Sequence, residues 1–109
     1  EGTQIVKFFI HISKEEQRER LQARLAEPDK HWKFHSSDLA TRKKWDDYMG
    51  AYGEALGRTS TETAPWYVIP GDRKWYRKLV IGEIMVAQME GMSLSFPEPE
   101  EGLEEVVIE

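Results

Sequence analysis

The sequence predicts a doubly wound α/β fold built on a parallel sheet, of which these 109 residues form the C-terminal part. Two apolar runs, IVKFFIHI at 5–12 and PWYVI at 65–69, lack the polar alternation of a half-exposed strand. They suit strands covered on both faces. Helical patterns fill the interval between them, and strands joined by a long helical crossover run parallel and connect right-handedly. Two such strands cannot cover their own faces and edges, because parallel sheets carry several strands between helices. The chain therefore reads as part of a larger domain, or as one that completes its sheet with another chain.

The elements follow in order. Behind the first strand, Ser13 is a helix N-cap and Glu16, three residues on, completes a capping-box pattern. The helix is expected to run to about Glu27, since Pro28 cannot continue it. Leu21 and Leu25 form its apolar stripe, and Gln17, Arg20 and Arg24 line a neighbouring face. The loop EPDKHWKFHSS leads to a longer helix capped by Ser36 or Ser37, with Gly57 as its stop. Leu39, Trp45, Tyr48, Met49, Tyr52, Ala55 and Leu56 recur along it with helical period. After the second strand, ended by Pro70 and Gly71, Asp72 caps a third helix through about Met89. Its apolar residues wrap most of its circumference, which predicts burial on more than one side. A first unit is placed at 1–92, and residues 93–109 form an acidic, mobile tail in which Val106 to Ile108 could dock.

Composition bounds the chemistry. The chain lacks cysteine, which excludes disulfides and thiolate catalysis. It has no apolar run long enough to span a bilayer and no secretory pattern, so a cytoplasmic setting is expected. The first residue, Glu1, hints at a processed or excised piece. A net charge of −5 conceals an asymmetry: residues 14–44 hold nine Lys/Arg against six Asp/Glu, whereas 90–109 hold seven Glu and no basic residue. The acidic balance leaves room for an anionic ligand in the first half.

Arg20 and Arg24, one turn apart, are the leading candidates for gripping such an anion. Phosphoryl transfer needs cationic groups that follow charge over the phosphoryl oxygens, and the guanidinium fork donates bidentately without losing its proton. A helix acting as a lid could deliver them. The ordinary alternative is an exposed charged helix with pairs such as Glu16–Arg20. His31 and His35 stand four apart, but in a loop and without a third ligand, so no metal site is expected. Lys30 and Lys33 interleave with Trp32 and Phe34, which suits either stacking with phosphate contact or hinge packing. His11 is expected as a hydrogen-bonded core histidine, and Asp46-Asp47 as a solvated helix face. The cluster Arg73, Lys74, Arg77, Lys78 opposes the dipole of the helix it opens and is expected as an exposed basic face. No nucleophilic triad and no glycine-rich P-loop is present.

Four stretches taken together, GTQIVKFFIHISKEEQRERLQAR, EPDKHWKF, KKWDDYMGAYGEAL and TSTETAPWYVIPGDRKWYRKL, resemble the C-terminal half of the family-2 polyphosphate kinases. The likeness runs in order to about Met89 and excludes the Glu-rich tail. It implies a P-loop kinase fold similar to thymidylate kinase, with a helical lid over about 13–36. It implies transfer of phosphate between inorganic polyphosphate and nucleoside mono- or diphosphates: ADP/ATP, with AMP and guanine nucleotides as further candidates. It makes Arg20 and Arg24 the catalytic lid arginines, with Gln17 and Lys33 weaker phosphate-binding candidates and Arg18 weaker still. Magnesium is implied as cofactor, with ligands outside this chain. Nucleic acid and membrane are not expected as partners. A missing N-terminal half or partner chain is, and the parent is expected to be a homo-oligomer. The family's GxDxxGKG and DRSWYNR motifs do not occur here, so the chain alone is expected to be inactive. A non-catalytic anion-binding or interaction module is the alternative.

Overall fold

The computed structural model describes residues 2–109; Glu1 lies outside the described residues. Two strands, β1 (Lys7–His11) and β2 (Trp66–Pro70), form a parallel two-stranded sheet. Lys7 pairs with Trp66 and His11 with Pro70. Between them lie α1 (Lys14–Ala26), a 3-10 turn (Pro28–Lys33), α2 (Ser37–Arg42) and α3 (Trp45–Thr59). Helix α4 (Lys74–Gly91) follows β2, and the tail carries one short 3-10 turn at Leu103–Glu105.

Side chains alternate across a strand, so Phe9 and Phe8 face opposite sides of the sheet. Tyr52 of α3 meets Phe9 with ring centroids 5.0 Å apart. The Lys7 ammonium donates to the Thr59 carbonyl at 2.8 Å. On the other face Phe8 lies against Tyr67, ring centroids 5.9 Å apart, and Gln88 of α4 donates to the Tyr67 hydroxyl. Helices thus lie on both faces, the layered α/β arrangement the apolar runs predict.

The layers are incomplete. Among the described residues only two hydrophobic side chains, Leu21 and Ile69, are buried, Ile69 at 1% exposure. Among the described residues nothing pairs with either outer strand edge, and Ile10, Val68, Trp75, Leu79 and Val86 remain exposed. The burial expected on several sides of α4 is not supplied by these residues: none of its side chains is buried. Leu25, expected in the stripe of α1, is also exposed. The radius of gyration is 21.8 Å, against about 13 Å for a compact chain of this size.

Local structure corrects several expectations. The predicted long second helix is broken at Lys43-Lys44 into α2 and α3, and neither Ser36 nor Ser37 supplies a capping hydrogen bond. The restart places Asp46 and Asp47 in the first turn of α3, where their charge suits the helix dipole. Gly57 does not stop α3, which runs on to Thr59. Asp72 does not cap α4: Arg73 holds the N-cap position without a side-chain bond. Helix α1 does end as read, with Glu27 at the C-cap before Pro28. Val106, Val107 and Ile108 dock nowhere, Ile108 being 95% exposed.

Candidate functional site

The site is built around α1, which leaves β1 through a tight connection. Ser13 Oγ accepts from the Glu16 N–H at 3.1 Å, one half of the predicted capping box. The other half does not form: the Ser13 N–H donates to Asp72 Oδ1 at 2.7 Å. Glu16 instead pairs with Arg20, Oε1 to Nε at 3.0 Å, with both side chains about a quarter exposed. Arg20 Nη2 donates to the carbonyls of Gly71 at 2.9 Å and Asp72 at 3.3 Å. The loop after β2 and the first turns of α1 are therefore one hydrogen-bonded unit. Hydrogen bonding from the Ser13 backbone N–H, helped by the Ser13 side chain and the Arg20 charge, holds the Asp72 carboxyl below its ordinary value.

Arg20 and Arg24 together line two adjoining clefts. One, of about 270 Å³, is bounded by Glu16, Arg20, Ala23, Arg24, Lys30, Lys33 and Lys74. The other, of about 230 Å³, is bounded by Ile12, Gln17, Arg20, Leu21, Arg24, Asp38 and Thr41. The first is strongly basic, with Glu16 as its only acid and that acid already paired. Arg24 Nη1 lies 3.5 Å from the Lys33 carbonyl, a long contact that ties α1 to the 3-10 turn. Lys30 pairs with Glu27 at 2.7 Å, and the Lys33 ammonium sits 5.2 Å from the centre of the Trp32 ring.

Of the residues singled out in the sequence, Arg20, Arg24 and Lys33 come together in the basic cleft. Gln17 lines the adjoining one, its Oε1 accepting from Arg42 Nη1 at 3.2 Å. Arg18 stands apart, exposed and 3.7 Å from Glu15. Lys74, expected on an exposed basic face, is exposed and also lines the cleft shared by the two arginines. Its signal was the absence of any acid in the first turn of α4. Asp72 does not serve as the expected cap, because its carboxylate accepts from the Ser13 N–H, 59 residues away.

The histidines are structural in their contacts. His31 Nε2 donates to the Leu25 carbonyl at 2.8 Å. His11 is half-buried rather than in a core: its ring stacks on Phe9, and its carbonyl accepts from the Gly71 N–H at 2.6 Å. It borders a third cavity, of about 360 Å³, at the carboxyl ends of the strands with Ser13, Asp72, Arg73 and Tyr76. Among the described residues no three His, Asp or Glu side chains gather as a metal site requires. Glu16 is committed to Arg20 and Asp72 to Ser13, so these residues do not form a magnesium site. No described helix is long and apolar enough to cross a membrane.

A parallel α/β frame gathers five cationic side chains around one cleft, an arrangement whose charge suits an anion. The profile of the family described as Polyphosphate kinase 2 (PPK2) matches residues 1–97, and the chain belongs to that family. It is 53% identical over 109 residues to the AMP/ADP-polyphosphate phosphotransferase of Meiothermus ruber, covering 100% of this chain and 41% of the relative. It is 50% identical over 97 residues to the ADP-polyphosphate phosphotransferase of Rhodopseudomonas palustris, covering 89% of this chain and 34% of the relative. The crystal structure of polyphosphate kinase 2 from Arthrobacter aurescens TC1 superposes with a TM-score of 0.88 at 45% identity, covering 94% of this chain and 37% of that one. The chain thus spans well under half the length of these relatives.

Proposed function

We propose that this chain is the lid-bearing C-terminal half of a P-loop kinase-type phosphotransferase that moves a phosphoryl group between inorganic polyphosphate and AMP or ADP. The observation that carries the reading is the basic cleft, where Arg20, Arg24, Lys30, Lys33 and Lys74 converge from α1, the 3-10 turn and α4. Polyphosphate carries its charge along a chain, so a row of cationic groups suits it better than one point charge. The transferred phosphoryl passes through a loose transition state with charge spread over its equatorial oxygens. Arg24, and Arg20 through its remaining Nη1 donor, are placed to stabilise that charge as catalytic groups. Lys33 and Lys74 hold neighbouring phosphates, with Gln17 in an outer supporting contact, while Arg18 stands away from the cleft.

The unpaired sheet edges and exposed faces support a further portion of polypeptide bearing the phosphate cradle and the magnesium ligands. The reading places residues 1–92 in that shared domain, with 93–109 as a tail outside the site. It carries a cytoplasmic setting and a homo-oligomeric parent. Alone, the chain supplies cationic groups but no cradle, and turnover requires the rest.

The test is ATP formation from ADP and polyphosphate, with magnesium, by the complete protein carrying this segment. Replacing both Arg20 and Arg24 with Ala lowers turnover by about two orders of magnitude or more while circular dichroism stays unchanged. Turnover equal to wild type in the folded double variant would sink the assignment.

A further inference from the structure

The hydrogen bonds that join α1 to the loop after β2 form a closed circuit. Asp72 Oδ1 accepts the Ser13 N–H, Ser13 Oγ accepts the Glu16 N–H, and Glu16 holds Arg20, whose Nη2 returns to the carbonyls of Gly71 and Asp72. In a complete capping box Glu16 would reach back to the Ser13 N–H. Asp72 has taken that donor, which leaves Glu16 available to Arg20. The exchange converts a local helix cap into a tie between two elements 59 residues apart in sequence.

We propose that Asp72 is a positioning residue for the basic cleft, acting through Ser13 and Arg20. Its carboxylate fixes the first turn of α1 to the end of β2. Lys74 opens α4 only two residues beyond Asp72 and lines the same cleft as Arg24. One anchor therefore sets the spacing between the cationic groups carried by α1 and the one carried by α4. A polyanion lying across that cleft meets both sets at once, so a loosened anchor disturbs their joint geometry. Displacement of about 1 Å in a positioned catalytic group can lower turnover about a hundredfold. What this role requires of residue 72 is an acceptor oxygen. A proton-transferring or metal-binding role would require the charge, and the two are separable.

The kinetic consequence rests on the polyphosphate reading given above; the tie itself does not. The experiment compares Asp72→Ala, Asp72→Asn and Arg24→Ala in the complete protein carrying this segment. It measures kcat and KM for polyphosphate, and amide hydrogen exchange over residues 14–20. Asp72→Ala is expected to lower kcat by about ten- to a hundredfold and to speed exchange in 14–20 while β1 and β2 stay protected. Asp72→Asn, which keeps Oδ1, is expected to stay close to wild type on both readouts.

Wild-type kcat and exchange in Asp72→Ala would overturn the proposal. So would an Asp72→Asn variant as impaired as Asp72→Ala, because the charge would then be what matters. If Arg24→Ala leaves turnover intact, the polyphosphate reading has failed, and exchange in 14–20 alone decides whether Asp72 holds α1. Where Asp72→Ala does not fold, Asp72→Glu replaces it. Its extra methylene displaces the acceptor, so it must lower kcat where Asp72→Asn does not, and equal kcat in the two overturns the role.

Discussion

Gly71 sits so close to Ile10 that a β-carbon on it would lie 2.7 Å from Ile10 Cγ2. The same added atom would stand 3.0 Å from Ile12 Cγ2 and 3.1 Å from the His11 carbonyl. Glycine is needed here for close approach rather than for an unusual backbone angle. It lets the end of β2 close against β1, where the Gly71 N–H reaches the His11 carbonyl. Gly71→Ala is expected to destabilise by about 1–3 kcal/mol, since its neighbours must shift to admit a methyl group. The urea unfolding midpoint checks it, and an unchanged midpoint would show that the strands yield freely.

Ser13 caps α1 with its hydroxyl but ties to Asp72 with its backbone. Ser13→Ala therefore removes the cap and keeps the tie. The expected loss is about 1 kcal/mol, the usual worth of an N-cap. A lower unfolding midpoint with an unchanged denaturant slope is the predicted result. A loss several times larger would mean that the hydroxyl supports more than the first turn of α1.

The depressed Asp72 carboxyl gives a pH signature. Its folded-state value lies below the ordinary 3.8, with the Ser13 backbone hydrogen bond as the leading cause. Such a group contributes stability that is full above the unfolded pKa and is lost as pH falls through the folded one. Asn at this position cannot titrate. The difference in unfolding midpoint between wild type and Asp72→Asn should therefore hold steady from neutral pH to about pH 5, then change as pH drops below 3.8. A difference that stays flat to lower pH would show that Asp72 ionises as freely in the folded chain as in the unfolded one.

At the opposite end of the sheet, Trp66 Nε1 donates to Thr59 Oγ1 at 2.8 Å, and that hydroxyl lies 2.6 Å from the Ala55 carbonyl. This relay fastens the end of α3 to the start of β2. Trp66→Phe keeps an aromatic ring and removes the donor. The hydrogen-bond share of the expected loss is about 1 kcal/mol. Comparing it with Thr59→Val in a double-mutant cycle isolates that share, and strictly additive effects would show the bond to be energetically silent.

How much of the fold is legible in the sequence depends on the range of each interaction. IVKFFIHI and PWYVI showed two buried-type strands because an unbroken apolar run is a local signal, and α1 ended where Pro28 required. The break at Lys43-Lys44 is not legible, because Leu39 and Trp45 keep a helical rhythm across it. Arg20 and Arg24 were legible as a pair by spacing alone. The convergence of Lys74 on them was not, since it depends on where the loop after β2 meets α1. Asp72 misled for the same reason. An aspartate before a helical pattern is read as a cap, while the donor it serves belongs to Ser13.

The pairing of Lys7 with Trp66 also bears on the order of events during folding. Helices α1 to α3 form from neighbours in sequence, whereas the two strands meet only after the intervening chain has closed into a loop. Long loops lose more chain entropy on closing, and contacts distant in sequence slow the approach to the native state. Sheet pairing should accordingly be a late step, following helix formation by a clear interval. The clasp of Ser13 and Asp72 lies at the mouth of that loop, so it closes only as the strands register. A cationic cleft that needs the clasp then exists only in molecules whose strands have already found each other.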